Sequence, residues 1–555
     1  MFSSTPFPVA WHASCTLFGS LIDRSQPHPP FEPMPSPTTI LKSSLAATIT
    51  AMALSMSPAH AKPFVLEEAT VDSIHAAYRD GSLTATELVK QYLERIDAYD
   101  QKGPALRAFI TVNPQALAEA ARLDAEFKAK HGHVGPLHGI PIVLKDNYNT
   151  KDMPTSGGNL AMKNSRPPAD AFTVDRMRRA GAIILGKTNL QEFARGGVSN
   201  SSLGGQVLNP YDLTRTPGGS SGGTAVALAT NMAVLGTGSD TGQSIRSPAS
   251  AASLVGIRAT RGLVSRAGVI PNSLTQDEVG PLARTVKDAA LLFDVMAGYD
   301  PHDPITALGV GKRPASYVAA LKGATLKGAR IGVLNNVYGK EDRHADVNRV
   351  MNQVMRTMEG QGATIVRFDL PDVDKLAANV STDRWEARTV FDQYFADLGP
   401  NQPVTSFRQL VDTRSATPDV QKTMEAEIAI DDGMNNATYR ERTANREKLR
   451  ILLASKMADL HLDAILYPLQ RVLPALAGGV DQPERNGALS HGTGFPAVTF
   501  PGGFSTPTAT APIGVPVGAE LLGLDYSEPK LLSYAYAFEQ AAHVRKMPVS
   551  TPPLH

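Results

Sequence analysis

The chain has 555 residues, of which 42% are hydrophobic and 19% charged, with a formal net charge of +1. That balance suits a globular protein and gives no field that would favour nucleic acid or an anionic membrane. With one cysteine, Cys15, disulfides, thiolate catalysis and cysteine metal sites are excluded.

Residues 1–33 contain the cluster Pro27-His28-Pro29-Pro30 and are expected to fold poorly. From Met34 the pattern is that of a secretory signal. Lys42 supplies the positive end, Leu45 to Met56 the apolar core, and Ala59-His60-Ala61 the small-residue exit. This implies a start at Met34, an upstream extension at 1–33, and a mature, periplasmic or secreted chain beginning near Lys62. That chain would lack cysteine, which an oxidising compartment tolerates. It would also lack an apolar run long enough to span a bilayer.

The mature sequence opens with helices. Thr84 and Glu87 have the spacing of a capping box, and Leu88, Tyr92, Ile96 and Tyr99 then recur at helical intervals. An Ala-rich helix is predicted over 115–130. The run Ile140-Pro141-Ile142-Val143-Leu144 reads as a buried strand ending at Lys145-Asp146-Asn147, and a second strand is predicted at Ala182 to Leu185 after a helix near Ala171 to Ala180. Further on, Lys327 to Asn336 and Ala363 to Asp369 read as strands around a helix at His344 to Gly360. Residues 371–460 are charged and largely helical, and the stretch 300–460 is expected to form a partly helical insert. Core character returns at Asp463 to Pro468 and Ala497 to Phe500, followed by an amphipathic helix at Lys530 to Arg545. Alternating strands and helices predict an α/β fold, and no fixed-period repeat interrupts it.

The densest chemistry lies between Gly218 and Ala249. Gly218-Gly219-Ser220-Ser221-Gly222-Gly223 precedes a small-residue run, and Gly236 to Ala249 contains Asp240-Thr241-Gly242-Gln243-Ser244-Ile245-Arg246. Glycine at this density implies unusual dihedrals or close backbone approach. Such loops aim rows of backbone N–H groups at one point, which suits an oxyanion, and serine beside them suggests nucleophilic acyl chemistry. Two other readings fit parts of the pattern. Gly218 to Gly222 satisfies G-x-S-x-G, a nucleophile elbow that would make Ser220 the nucleophile of an α/β-hydrolase-type esterase. A non-catalytic phosphate cradle would need the Lys-Ser/Thr ending of a P-loop, which is missing. Of the histidines after residue 461, His491 and His543 have no convincing triad context. His131-Gly132-His133 lacks a third ligand at sensible spacing, so no metal site is expected.

The two glycine turns, their spacer and Arg246-x-Pro248 closely resemble the signature of the amidase signature family of serine hydrolases. Gly186 to Phe193, Asn209-Pro210 and Val264 to Pro271 extend the resemblance, which covers most of 70–300 and resumes from about 463 to 548. Gln243 stands where many members carry glycine. The resemblance implies one large α/β/α domain around a twisted mixed sheet over residues 62–548, with 549–555 as a tail. It implies a Ser-Ser-Lys relay with Ser244 as nucleophile, Ser220 as bridging serine and Lys145 as base, and a cis peptide before Ser220. The backbone N–H groups of Thr241, Gly242, Gln243 and Ser244 would form the oxyanion hole, with Gly219, Ser221, Asp240 and Arg246 in support. A lysine acts as a base at neutral pH only if a dry site lowers its pKa from about 10.4. The implied activity is hydrolysis of a small-molecule amide without metal or cofactor, with aryl-amide, ester or carbamate cleavage by the same relay as the alternative. Pocket walls are expected from the loops before Lys145, from the insert and from His491 to Phe495. The family also includes one component of the tRNA-dependent amidotransferase, a cytoplasmic role that an export signal disfavours. Oligomeric state is open, a homodimer included.

Overall fold

A computed structural model describes residues 64–554. The predicted signal segment at 34–61 and the extension before it lie outside the described residues.

The strands are β1 (Phe109–Val112), β2 (Pro141–Lys145), β3 (Ile183–Thr188), β4 (Asn200–Ser201), β5 (Gly205–Gln206), β6 (Leu235–Asp240), β7 (Val255–Arg258), β8 (Glu278–Ala283), β9 (Arg330–Leu334), β10 (Thr364–Phe368), β11 (Ala464–Pro468), β12 (Ala497–Phe504) and β13 (Pro516–Leu522). β4 and β5 pair only with each other, and the remaining 11 form one sheet in the order β1-β3-β2-β6-β8-β7-β12-β13-β11-β9-β10. β2 runs parallel to both β3 and β6. β9 runs parallel to β10 and β11. The strands between these two parallel groups pair antiparallel. The fold is therefore α/β around a mixed sheet, as the alternation of elements implied.

Local sequence accounts for the elements around the site. β2 is buried at every position, which explains its unbroken apolar run: an interior parallel strand has no solvent face. The helix Ala85–Tyr99 starts from Thr84, whose side chain accepts from the Glu87 N–H while Glu87 reaches back to the Thr84 N–H, the reciprocal capping box read from spacing. The helix Gly222–Ala229 follows the serine turn and is buried along its whole length. Among the residues from Gly218 to Gly223 only Gly218 has a positive φ, +74°. At Gly223 the demand is proximity instead, because a Cβ there would sit 2.3 Å from Asn189 O and 2.5 Å from Ala108 O. This turn is glycine-rich mainly because strands and helix meet at backbone distance.

The stretch 300–460, expected as a partly helical insert, divides in two. β9 and β10 extend the main sheet beyond β11, and Ala345–Gly360 connects them as the crossover helix. This part belongs to the central layer because β9 carries the apolar run Ile331, Val333 and Leu334 that an interior strand needs. The helices between Asp383 and Ile428 stand off the sheet. They carry a core of their own, in which Phe391, Phe395, Phe407, Leu410 and Met424 pack against Met162, Phe193 and Ile270. Along β11, Ala464 and Leu466 join the main core while Ile465 and Tyr467 join a second one with Leu449 and Leu453, so both faces of the sheet are covered there. The expected tail folds back on the body: Arg95 Nη2 donates to Thr551 O at 3.0 Å, and Thr551 is buried.

Candidate active site

β2 and β6 end side by side at Lys145 and Asp240, and the carboxyl ends of parallel strands are where open α/β sheets place their sites. The Lys145 side chain is fully buried. Its Nζ donates to Ser220 Oγ at 2.6 Å and to Ser239 Oγ at 2.8 Å, with Ser239 O at 3.3 Å. Burial pushes the Lys145 ammonium down to about 7, and the Asp240 and Asp277 carboxylates only partly offset that. The Gly219–Ser220 peptide is cis.

Ser244 lies one turn further on. Its carbonyl accepts the Ser221 N–H at 3.1 Å, which ties the two serine turns together. Ser244 lines a cavity of about 570 Å³, and its hydroxyl makes no hydrogen bond among the described residues, Ser220 Oγ included. Thr241, Gly242 and Gln243 line the same cavity. None of the main-chain N–H groups of residues 241–244 is donated to an acceptor among the described residues, whereas the next one, from Ile245, goes to Asp240 Oδ2 at 3.1 Å. A run of unpaired N–H groups beside a hydroxyl can receive a developing oxyanion.

The loop is held from beneath by charge. Arg246 donates through Nε and Nη2 to the Asp240 carboxylate at 3.0 and 3.2 Å, and through Nη2 to Gly242 O at 2.7 Å. Arg258 Nη1 adds a bond to Asp240 Oδ1 at 3.0 Å. Burial alone would raise the Asp240 pKa, but Arg246 and Arg258 hold the carboxyl well below the usual carboxylate range. Ser221 has its Oγ 3.4 Å from Ser239 O. Gly219 packs so closely that a Cβ would be 2.6 Å from the Gly197 carbonyl carbon.

The cavity walls come from 194–196, 272–276, 381–427 and 480–491. The helical layer and His491 thus contribute as expected, but the loops before Lys145 do not, because β2 is interior and the chain preceding it runs at the opposite end of the strand. His491 is buried, with Nδ1 3.4 Å from Gln276 Nε2. Burial, then Arg258, Arg446 and Arg246, push its pKa well below the usual imidazole value. Among the described residues its ring makes no hydrogen bond to a serine of the two turns. Ser220 is itself fully buried and bonded to Lys145, a geometry unlike the exposed serine of a nucleophile elbow. A second buried lysine, Lys187, is an ion pair with Asp146 at 3.0 Å, which sets it apart from Lys145. No group of three or more His, Cys, Asp or Glu side chains among the described residues could hold a metal ion.

Sequence reasoning did not single out Ser239, Gln276, Arg195 or Glu427. Ser239 was within reach, being the residue before Asp240 and so directed to the same strand end. Gln276 donates to Thr241 O at 3.2 Å, and its Oε1 accepts the Thr382 N–H and hydroxyl. It thereby joins the nucleophile loop to the helical layer. Arg195 and Glu427 form a buried pair at 2.9 Å, with the Arg195 guanidinium over the Phe391 and Phe407 rings.

Comparison with known proteins agrees with this arrangement. The family model described as Amidase matches residues 87–532. A probable amidase of Arabidopsis thaliana is 33% identical over 506 residues, covering 87% of this chain and 92% of the plant protein. A glutamyl-tRNA(Gln) amidotransferase component from Alkaliphilus metalliredigens is 34% identical, covering 87% of this chain and 98% of its own. Among solved structures, a peptide amidase in complex with the competitive inhibitor chymostatin superposes with a TM-score of 0.79 at 36% identity, covering 87% of this chain and all 100% of that one. The native peptide amidase of Stenotrophomonas maltophilia gives 0.77 at 34% identity, covering 88% and 99%. The chain belongs to the amidase signature family and is an amidase.

Proposed function

We propose that the enzyme cleaves a carboxylic amide through an acyl-enzyme on Ser244, with Ser220 and Lys145 relaying the proton. The observation that carries this reading is the 2.6 Å contact between a fully buried Lys145 and Ser220 Oγ. With its pKa near 7, Lys145 is available as a neutral amine at physiological pH. As Ser244 Oγ attacks the carbonyl carbon, its proton passes to Ser220 and that of Ser220 to Lys145 Nζ. The carbonyl oxygen, now negative, faces the unpaired N–H groups of residues 241–244. Collapse breaks the C–N bond while the proton returns along the relay to the leaving nitrogen, releasing ammonia or an amine. Water repeats the sequence on the acyl ester, gives the carboxylic acid and restores Ser244. The hydrogen bond from Ser244 to Ser220 is the link that substrate binding must complete, and catalytic contacts commonly tighten only in the complex.

The peptide amidase neighbours favour primary and peptide amides as the substrate class. Ammonia released from primary amides by the mature enzyme but not by Ser244→Ala, read by mass spectrometry across amides, anilides, aryl esters and carbamates, is the expected result. Arylamine or phenol release would keep Ser244 and move the activity to aryl-amide or carbamate hydrolysis. Equal product from Ser244→Ala would overturn the assignment. The signal pattern at 34–61 supports export and action apart from the cytoplasmic tRNA-dependent assembly. N-terminal sequencing of exported protein should begin near Lys62, and a start before Met34 would refute it.

A further inference from the structure

The cavity beside Ser244 is unbalanced in charge. Asp383, Asp419, Glu427 and Asp481 line it, against Arg195 and Arg485. Arg195 is paired with Glu427 Oε1 and Arg485 with Asp481 Oδ2, at 2.9 and 2.8 Å, which leaves Asp383 and Asp419 without an ion-pair partner among the described residues. Both open the first turn of a helix, Asp383–Leu398 and Pro418–Ile428, where a carboxylate complements the helix dipole. That accounts for acidic residues at these positions, but about half a unit of positive charge at each terminus leaves each site net negative.

Two further side chains in the same wall point to an occupant. Glu427 is 4% exposed, and its second carboxylate oxygen, Oε2, has no hydrogen-bond partner. Gln243, also 4% exposed and adjacent to Ser244, leaves both Oε1 and Nε2 unpartnered. Buried polar groups without partners cost free energy that a complementary ligand recovers. Burial pushes the Glu427 carboxyl up to about 7, with Arg195 and Arg384 opposing the rise and Asp383 adding to it.

Building on the amidase reading, we infer that the substrate is an amide whose acyl portion carries an ammonium or guanidinium group, held by Asp383, Asp419 and the free Glu427 oxygen while Gln243 takes a polar group next to the scissile bond. The cavity volume falls within the range of small-molecule sites, about 300–1,000 Å³, enough for a basic amino-acid amide or the end of a short basic peptide amide.

The test uses Ser244→Ala as a binding protein, with Nα-acetyl-lysinamide and its uncharged analogue Nα-acetyl-norleucinamide compared by calorimetry at low ionic strength. The lysinamide should bind about tenfold tighter or more, the scale of one charge-assisted hydrogen bond. Adding Asp383→Asn or Asp419→Asn should bring the ratio to within about threefold while the norleucinamide affinity stays unchanged. Equal affinities, no measurable preference, or a parallel loss for both ligands in the Asn variants would overturn the proposal. Ammonia release by the unsubstituted enzyme reads the amidase chemistry separately, so failure there is distinguishable from loss of the cation preference.

Discussion

Arg246 on the nucleophile loop and Glu520 on β13 form a fully buried ion pair at 2.8 Å. The same guanidinium serves Asp240, so one side chain neutralises two interior carboxylates and spans from the reacting loop to a strand several positions away in the sheet. Removing it leaves Glu520 without an ion-pair partner and Asp240 with Arg258 alone. Arg246→Met is expected to cost roughly 3–5 kcal/mol, the usual penalty for leaving a buried charge without its partner, seen as a lower urea midpoint. Arg246→Lys should recover only part of this, since a lysine cannot reproduce the forked geometry. Unchanged stability in Arg246→Met would show that the two carboxylates are protonated or solvated instead.

The base must be neutral to act, and its pKa lies at about 7. The kcat/KM of the free enzyme should therefore rise with pH through about 7 and level off above it, falling about tenfold for each unit below. Lys145→Arg should be inactive across the range. A profile flat across that pKa, from acid to mildly alkaline buffer, would remove Lys145 from the proton path.

The same shift makes a prediction about stability, which also rises with pH but does so over the range above about 7. Lys145 titrates near 7 when folded and at 10.5 ordinarily. Between those values the unfolded chain holds a proton that the folded chain does not, so this contribution to stability rises with pH. Below about 7 both states are protonated and the folded enzyme bears the full cost of a buried ammonium. Lys145→Met should accordingly be more stable than the parent by an amount on the order of a few kcal/mol at about pH 6, with the advantage shrinking toward about pH 10. Urea unfolding at both pH values checks this, and an advantage that grows with pH would contradict it.

Gln276 binds the Thr241 carbonyl at one end and Thr382 at the other. Gln276→Leu should lower kcat by about tenfold with a smaller change in KM, because the lost bonds position the loop that receives the oxyanion rather than the substrate. An effect confined to KM would place Gln276 among the binding residues instead.

What the sequence made legible followed from local rules. The apolar run at 140–144 could only be an interior strand, and its terminal lysine was marked by position. The two glycine turns announced backbone crowding that Gly223 demonstrates. Boundaries failed where local signals mislead. The stretch expected at Ala497 to Phe500 is longer, since β12 continues to Phe504 through a register shift between Pro501 and Gly503, and β13 was not read as a strand at all. The cavity walls were least legible, because Arg195 with Glu427 and Gln276 with Thr382 are pairings between residues more than a hundred positions apart. No local pattern encodes such partners, since tertiary packing alone brings them together.

The Gln276–Thr382 link carries an experimental benefit. Trp385 lies three residues beyond Thr382 in the same helix, buried and flanked by the Arg384 and Arg442 guanidiniums, and it is the only tryptophan among the described residues. Its emission is thus a built-in optical gauge of whether the helical layer is seated on the nucleophile loop, readable in an enzyme with no label attached.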